Sequence, residues 1–254
     1  MKKNKFLQKF LAAIISVGII FIIWLYASLK IDSVLILPSP FEVLNALLKG
    51  ISHIIFWKHI IATLIRVLIA FLISMCIGVF IGGISGMNQF FHDLFQIPLS
   101  IIRATPVVSF ILLALFWFKS SVVPIFVSVL MCLPIIITSI DGCIRNIDKK
   151  LIDFSHCYEF SFIKTIKYIY IPVCIPTFAN CVVATFGLSW KVVAAGEVLS
   201  LPRNAVGTLL HQAKVHLETP DVFAITLILI ILCFIIEQLL NFITLKLVKT
   251  DKFL

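Results

Sequence analysis

Long apolar runs, separated by short polar or charged segments, make up most of the chain. A run of about 20 apolar residues can cross the hydrocarbon core of a bilayer as a helix. The pattern predicts spans at about residues 10–29, 61–87, 97–118, 122–140, 171–193 and 222–247. We therefore expect an all-α integral membrane protein with about six transmembrane helices, forming one domain over residues 1–254.

The first apolar run follows the basic residues Lys2, Lys3, Lys5 and Lys9. A secretory signal peptide also has a basic start, but its apolar core is shorter than this run. No small-x-small cleavage site follows at Tyr26-Ala27-Ser28. These features favour a retained first helix with its N-terminus inside the cell.

A ribbon of small residues lies within the second predicted span. Its members recur every four residues and are Ala70, Ser74, Gly78, Gly82 and Gly86. Small side chains let two helix backbones approach closely, which is a main route to helix packing in lipid. The ribbon therefore predicts a helix–helix contact, and it offers one possible packing surface for a dimer.

Ionisable residues at membrane depth are few, and each is a candidate for function. Arg66 either snorkels to the interface or pairs within the bundle, and the sequence favours snorkelling. Glu197 and Glu237 are the carboxylates expected at depth. Glu197 follows Ala194-Ala195-Gly196, where a helix could break and open onto a cavity. Glu237 is expected near the cytoplasmic end, facing the bundle or the headgroups.

Composition and charge agree with a membrane protein. Hydrophobic residues make up 61% of the chain and the mean hydropathy is +1.14, which excludes an ordinary soluble domain. The net charge of +9 is spread over short segments between apolar runs, so it does not indicate a nucleic-acid partner. The cysteines show no CxxC spacing, and most lie in apolar runs, which favours buried small residues over disulfides or a metal site.

Basic residues near membrane ends prefer the cytoplasmic side. With six spans, both termini and the segments 88–96 and 141–170 share one side of the membrane. That side carries Lys2, Lys3, Lys5, Lys9, Arg145, Lys149, Lys150, Lys164, Lys167, Lys246, Lys249 and Lys252. The opposite side carries Lys30, Lys49, Lys58, Lys119, Lys191, Arg203 and Lys214. The excess predicts cytoplasmic termini and a cytoplasmic segment 141–170.

Residues 145–176 form the longest charged segment. Apolar residues recur mostly three or four apart within it, at Ile152, Phe154, Tyr158, Phe162, Ile163 and Ile166. This spacing predicts one apolar helix face, which Pro172 and Pro176 should end or kink. Periodicity alone indicates a basic amphipathic loop at a membrane surface.

The sequence contains none of three common nucleotide-binding and catalytic motifs. No GK[ST] phosphate loop, G-x-S-x-G elbow or H-E-x-x-H pair occurs. Residues 207–221 are polar, but His211 and His216 are five apart and favour a solvated loop over a ligand pair. We expect no catalytic residue, and no metal or cofactor bound by this chain.

The spacing inside the charged segment resembles the cytoplasmic "EAA" loop of permease subunits in ABC importers. Asp153-Phe154-Ser155, Glu159 and Ile171-Pro172 keep that motif's register of Glu-Ala-Ala, Gly and Ile-Pro, although most identities differ. A turn that needs positive φ would be strained by glutamate in place of glycine. The resemblance implies short coupling helices that dock on an ATP-hydrolysing subunit. The residues it implies are Asp153, Phe154, Ser155, Tyr158, Glu159, Phe162, Ile163, Lys164, Ile171 and Pro172.

Other segments resemble the sulfonate, taurine and nitrate branch of these permeases. They are Leu37-Pro38-Ser39-Pro40 with a short helix at 41–48, Thr63-Leu64-Ile65-Arg66, the order Pro98, Arg103, Pro106, and the small-residue segment from Ser189 to Glu197. The last of these places Trp190 and Glu197 as candidates for the substrate path.

The resemblance implies a type I ABC importer permease (MetI-like) fold in a bacterial inner membrane. Its implied partners are two ABC ATP-binding subunits, an extracytoplasmic substrate-binding protein, a second copy of the chain and membrane lipid. ATP and Mg²⁺ would be held by the ATPase. The implied cargo is a small solute related to sulfonates, taurine or nitrate, moved by alternating access.

Two other classes of function remain open. A membrane-embedded enzyme would need polar catalytic groups at one depth, and turnover without an ATPase partner would reveal it. A non-transporting scaffold or sensor would keep the docking loop and lose the substrate path. Uptake that survives deletion of this chain while the ATPase remains would favour that second class.

Overall fold

The computed structural model describes residues 2–250, with side chains described at residues 8, 11, 12 and 14–246. All regular structure in this part is helical, as predicted. The helices are α1 (Lys2–Ile31), α2 (Pro40–Ser52), α3 (Ile54–Met87), α4 (Gln89–Ala104), α5 (Val107–Trp117), α6 (Val123–Arg145), α7 (Lys149–Cys157), α8 (Phe162–Thr165), α9 (Ile171–Ser200), α10 (Val206–Val215) and α11 (Thr219–Thr250). A π-helical turn, Ile166–Tyr170, joins α8 to α9.

Five of the described helical runs are long and apolar enough to cross a membrane, and a bent pair raises the number to six. The bent pair is α4 and α5, whose axes meet at 101°. It occupies the region predicted as one span at 97–118. Pro106 explains the break, because a proline disfavours helical backbone at the residue before it, here Thr105.

The chain divides into two compact units. The first contains the residues up to His59 together with Leu209–Ile230, and the second contains Ile60–Thr208 together with the residues from Ile231 onward. The side chains of Lys2, Lys3, Lys5, Lys9 and Lys249, and the whole of Lys252, lie outside the described residues.

In the first unit, the proline-rich segment before α2 is held by polar contacts. The indole Nε1 of Trp24 donates to the Pro38 carbonyl at 3.0 Å, and Ser28 Oγ donates to the Leu37 carbonyl at 3.3 Å. Ser39 Oγ accepts from the Glu42 amide and caps α2, and the Glu42 carboxylate accepts in turn from the Ser39 backbone N–H. This capping box fixes the start of α2 at Pro40, one residue before the predicted helix.

In the second unit, the small-residue ribbon of α3 packs against α6. A Cβ built on Gly82 would lie 2.9 Å from the Ile137 carbonyl oxygen, and one on Gly86 would lie 2.7 Å from Ile144 Cβ. Ala70 and Ser74 are fully buried. The predicted packing surface therefore serves a contact within the chain, which removes the support the ribbon gave to a dimer.

A second contact joins α6 to α9. Gly196 lies against Pro124, where an added Cβ would be 3.0 Å from Pro124 Cα. Glycine is therefore required here by the close approach of two helices. The expected break after Ala195 does not occur, since α9 continues to Ser200. The predicted polar loop at 207–221 is likewise partly helical, because α10 covers Val206–Val215.

Candidate functional site

The segment from α7 to the start of α9 forms the candidate coupling segment, residues 148–172. Asp148 caps α7 by accepting a hydrogen bond from the Lys150 amide at 2.9 Å. At the other end, the Phe160 amide donates to the Ser155 carbonyl and the Glu159 amide to the His156 carbonyl. These two bonds form a Schellman motif, the common way to close a helix through a left-handed residue.

Glu159 is the left-handed residue of this motif, with φ of 51°. This is the position at which the permease motif has glycine. The turn is thus present in the structure although the residue that favours it has been replaced. Glutamate here costs about 1–2 kcal/mol, because its Cβ crowds the following carbonyl. The neighbouring Ser155 is 2% exposed, and its small side chain donates to the Ile152 carbonyl at 2.7 Å.

Large apolar side chains project from the coupling segment. Phe154 is 49% exposed, Tyr158 65%, Phe162 67% and Ile163 76%. The ring centroids of Phe154 and Tyr158 are 4.4 Å apart with the rings tilted by 36°, and Phe154 meets the ring of Phe160 edge-on at 6.2 Å. Asp153, Glu159 and Lys164 are exposed around them. An apolar patch with a charged rim is typical of a protein-binding surface.

Proline shapes the end of the coupling segment without ending the helix. Pro172 lies in the first turn of α9, directly after the π-helical turn and Ile171. A proline cannot donate an amide hydrogen bond, and its ring displaces the carbonyl four residues earlier, which a wider turn accommodates. The helix then passes through Pro176. The coupling segment is therefore continuous with a membrane-spanning helix.

A network of charged groups connects the helix ends next to this segment. Asp141 of α6 is 7% exposed and accepts hydrogen bonds from Ser85 Oγ at 2.7 Å and Arg145 Nε at 3.2 Å. His92 Nδ1 lies 3.0 Å from the same carboxylate. Arg145 also donates to the Ser85 carbonyl at the end of α3 and to the Gln89 amide oxygen at the start of α4. Asp141 was predicted to lie in the loop at 141–170 and was therefore not a candidate, whereas it lies in α6.

A buried ion pair joins α3, α9 and the segment before α10. The carboxylate of Glu197 accepts from Arg66 Nη1 at 2.7 Å, Thr63 Oγ1 at 2.8 Å and the Gly207 amide at 3.1 Å. Arg66 Nη2 donates in addition to the Arg203 carbonyl. Arg66 therefore pairs within the bundle, and the prediction that it snorkels is wrong. The presence of one basic and one acidic residue in two different helices could have suggested this pairing from the sequence.

Glu197 is fully buried and its oxygens are occupied by three donor groups, which favours a positioning role over direct substrate contact. Trp190 is 4% exposed, and its buried Nε1 has no hydrogen-bond partner within the described residues. Glu237 of α11 lies against Gly187 of α9, where a Cβ would require the Glu237 carboxylate to move. Among the described residues, no group of three or more His, Cys, Asp or Glu side chains could hold a metal ion.

The fold and these sites define a helical, multi-pass membrane protein with an exposed amphipathic segment. Residues 74–249 match the family of binding-protein-dependent transport system inner membrane components, and the chain belongs to that family. The prediction of an ABC importer permease of the sulfonate, taurine and nitrate branch is confirmed.

Relatives support the same assignment. The taurine transport system permease protein TauC of Escherichia coli is 22% identical, over 84% of this chain and 80% of TauC. The putative aliphatic sulfonates transport permease protein SsuC of Escherichia coli is 29% identical, over 89% of this chain and 86% of SsuC. The nitrate import permease protein NrtB of Synechococcus elongatus is 28% identical, over 78% of this chain and 74% of NrtB.

Proposed function

We propose that this chain is the translocating subunit of an ATP-driven importer for a small solute related to sulfonates, taurine or nitrate, or a related small organic molecule. Two copies form the path, two ATP-binding subunits dock on the coupling segments, and an extracytoplasmic binding protein delivers the solute. ATP and Mg²⁺ are held by the ATPase, and this chain binds neither. Both termini and the coupling segment lie in the cytoplasm, where the excess of Lys and Arg supports their placement.

One observation carries the proposal: the coupling segment keeps a closed, left-handed turn and presents exposed aromatic and aliphatic side chains next to it. Maintaining φ of 51° at Glu159 costs free energy, so the turn is held by the hydrogen bonds around it. Exposed apolar side chains such as Phe162 and Ile163, gathered in one patch with a charged rim, are typical of a protein-binding surface. A docked partner explains this exposed patch, and the turn holds the patch in place.

Force from the ATPase would reach the membrane helices through the Asp141 network. Only a short connection separates Arg145 of α6 from the start of α7 at Lys149. Arg145 and Asp141 bind groups at the end of α3 and in α4, so a shift of α7 is passed to three helices together. ATP drives the cycle only if it binds one global state more tightly than the other.

The test is co-purification of the chain with its candidate ATP-binding subunit from membranes. Phe162→Asp places a charge in the apolar patch. Glu159→Arg reverses the charge at the left-handed turn that follows α7. We expect both variants to release the ATPase. Phe162→Leu keeps an apolar side chain at the same position and is the matched control, so it should retain the ATPase.

The result that contradicts the proposal is equally specific. If wild type retains no ATPase, or if Phe162→Asp holds it as well as Phe162→Leu, the segment is not the docking element. The chain would then have to act without energy coupling through residues 148–172.

A further inference from the structure

Three arginines of the second unit differ in how their charge is balanced. Arg66 pairs with Glu197 at 2.7 Å, and Arg145 pairs with Asp141 at 3.2 Å. Arg103 has no carboxylate within ion-pair distance among the described residues, and its guanidinium makes only a 3.4 Å contact with the Pro134 carbonyl. Arg103 is exposed and lies within the span predicted at 97–118, and an arginine without a counter-charge in such a segment commonly marks an ion or substrate pathway.

Arg103 also lies at an irregular part of the backbone. It is in the last turn of α4, directly before the break at Thr105 and Pro106. Non-helical backbone within a membrane is tolerated where it is buried in protein or lines a cavity. Broken helices in transporters often build the substrate site for this reason.

Two adjoining cavities meet at Arg103 and Thr138. The smaller, of about 160 Å³, also contains His92 and Asp141. The larger, of about 440 Å³, is lined by Arg103, Thr138 and Ser139 together with apolar residues such as Met131 and Ile135. The lining of the larger cavity includes no acidic residue, so Arg103 sets the sign of its potential.

We infer that the larger cavity binds a small organic oxyanion, with its charged group on the guanidinium of Arg103 and its apolar part against Met131 and Ile135. Arginine suits this role because its planar, forked donors match sulfonate and carboxylate oxygens. Asp141 does not oppose the anion, because Arg145 and His92 contact its carboxylate. The inference rests on the proposed function, since it assigns the anion to the transport path.

The same oxyanion chemistry occurs in a lipid headgroup, and the experiment separates the two sources. Thr138 is exposed and lines both cavities, so Thr138→Cys places a thiol beside Arg103. The full chain is reconstituted in phosphatidylcholine vesicles and treated with anionic or cationic methanethiosulfonate reagents. Modification is quantified at residue 138 alone by mass spectrometry of its peptide, so the native cysteines need not be replaced. Sodium ethanesulfonate serves as the competing anion.

With Arg103 present, we expect the anionic reagent to be favoured and ethanesulfonate to slow labelling. Arg103→Gln should lower the ratio of anionic to cationic rates by about tenfold, as expected for one charge at this range. Arg103→Lys should keep most of the ratio and lose most of the protection, because an ammonium lacks the forked donors. Lys119→Gln removes a basic residue that does not line either cavity and should change neither quantity.

An unchanged rate ratio in Arg103→Gln would overturn the inference. So would protection that depends on adding phosphatidylglycerol and not on ethanesulfonate, because the anion would then be a lipid headgroup. Co-purification of the ATPase with the same variants separates the two proposals. Retained ATPase without protection refutes the anion site alone, whereas protection without a retained ATPase refutes the proposed energy coupling.

Discussion

Two adjacent glycines in α3 give a direct test of the contact between α3 and α6. A Cβ on Gly82 would lie 2.9 Å from the Ile137 carbonyl oxygen and 3.2 Å from Ile137 Cα. Both are backbone atoms, so no side-chain rotation can relieve the overlap and the helices must separate. A Cβ on Gly83 would meet no atom within 4 Å. The two positions therefore differ in packing while sharing the same helix.

The two substitutions are expected to change the free energy of unfolding differently. Overpacking in a tight core costs about 1–3 kcal/mol, so Gly82→Ala should have a lower free energy of unfolding than Gly83→Ala by that amount. Alanine has the higher helix propensity by about 1 kcal/mol, so Gly83→Ala should be neutral or stabilising. The helix-propensity gain is the same for both substitutions, so the free energies of unfolding of the two variants should differ by the overpacking cost alone, about 1–3 kcal/mol.

Equilibrium unfolding in mixed detergent and SDS micelles, followed by tryptophan fluorescence, measures this difference. Equal stability of Gly82→Ala and Gly83→Ala would refute the packing argument. A loss of stability in Gly83→Ala alone would show that the ribbon faces a different surface from the one described here.

Further predictions concern the buried ion pair and the strained turn. Glu197→Gln leaves the charge of Arg66 buried without its partner and should cost about 3 kcal/mol of unfolding free energy. Combining it with Arg66→Met should cost less than the sum of the two single changes; additive effects in SDS unfolding would contradict the pair. Glu159→Gly should relieve about 1 kcal/mol of backbone strain and slow hydrogen exchange at the Phe160 amide, whereas Glu159→Val should speed it. Equal exchange in both variants would show that the left-handed turn is not formed.

The apolar pattern and motif register predicted the helical class and the permease family, because membrane spans and motif spacings are local properties of a sequence. These local patterns do not show which charged residues pair when they are far apart in the chain. Arg66 and Glu197 are separated by more than a hundred residues, and only the folded chain shows that Thr63 and the Gly207 amide complete their contact. Snorkelling was therefore the simpler expectation for Arg66 alone.

Glycine and proline did not predict the local structure reliably, because the same residue type has different roles at different positions. Gly196 suggested a break, but the structure uses it to admit Pro124, and a sequence does not distinguish flexibility from close packing. Pro106 does break a helix, whereas Pro176 is contained within α9. Glu159 shows the reverse case, because the surrounding hydrogen bonds impose a turn that its own preference opposes.

The most direct test of the coupling segment is contact with the ATPase in the membrane. A photoreactive benzoylphenylalanine is placed at Ile163, which is 76% exposed, and as a control at Ile36, which is 69% exposed. We predict that irradiation links position 163 to the co-expressed ATP-binding subunit and leaves position 36 unlinked to it. Linking from both positions, or from neither while the complex stays intact, would contradict the assignment of residues 148–172 as the docking element.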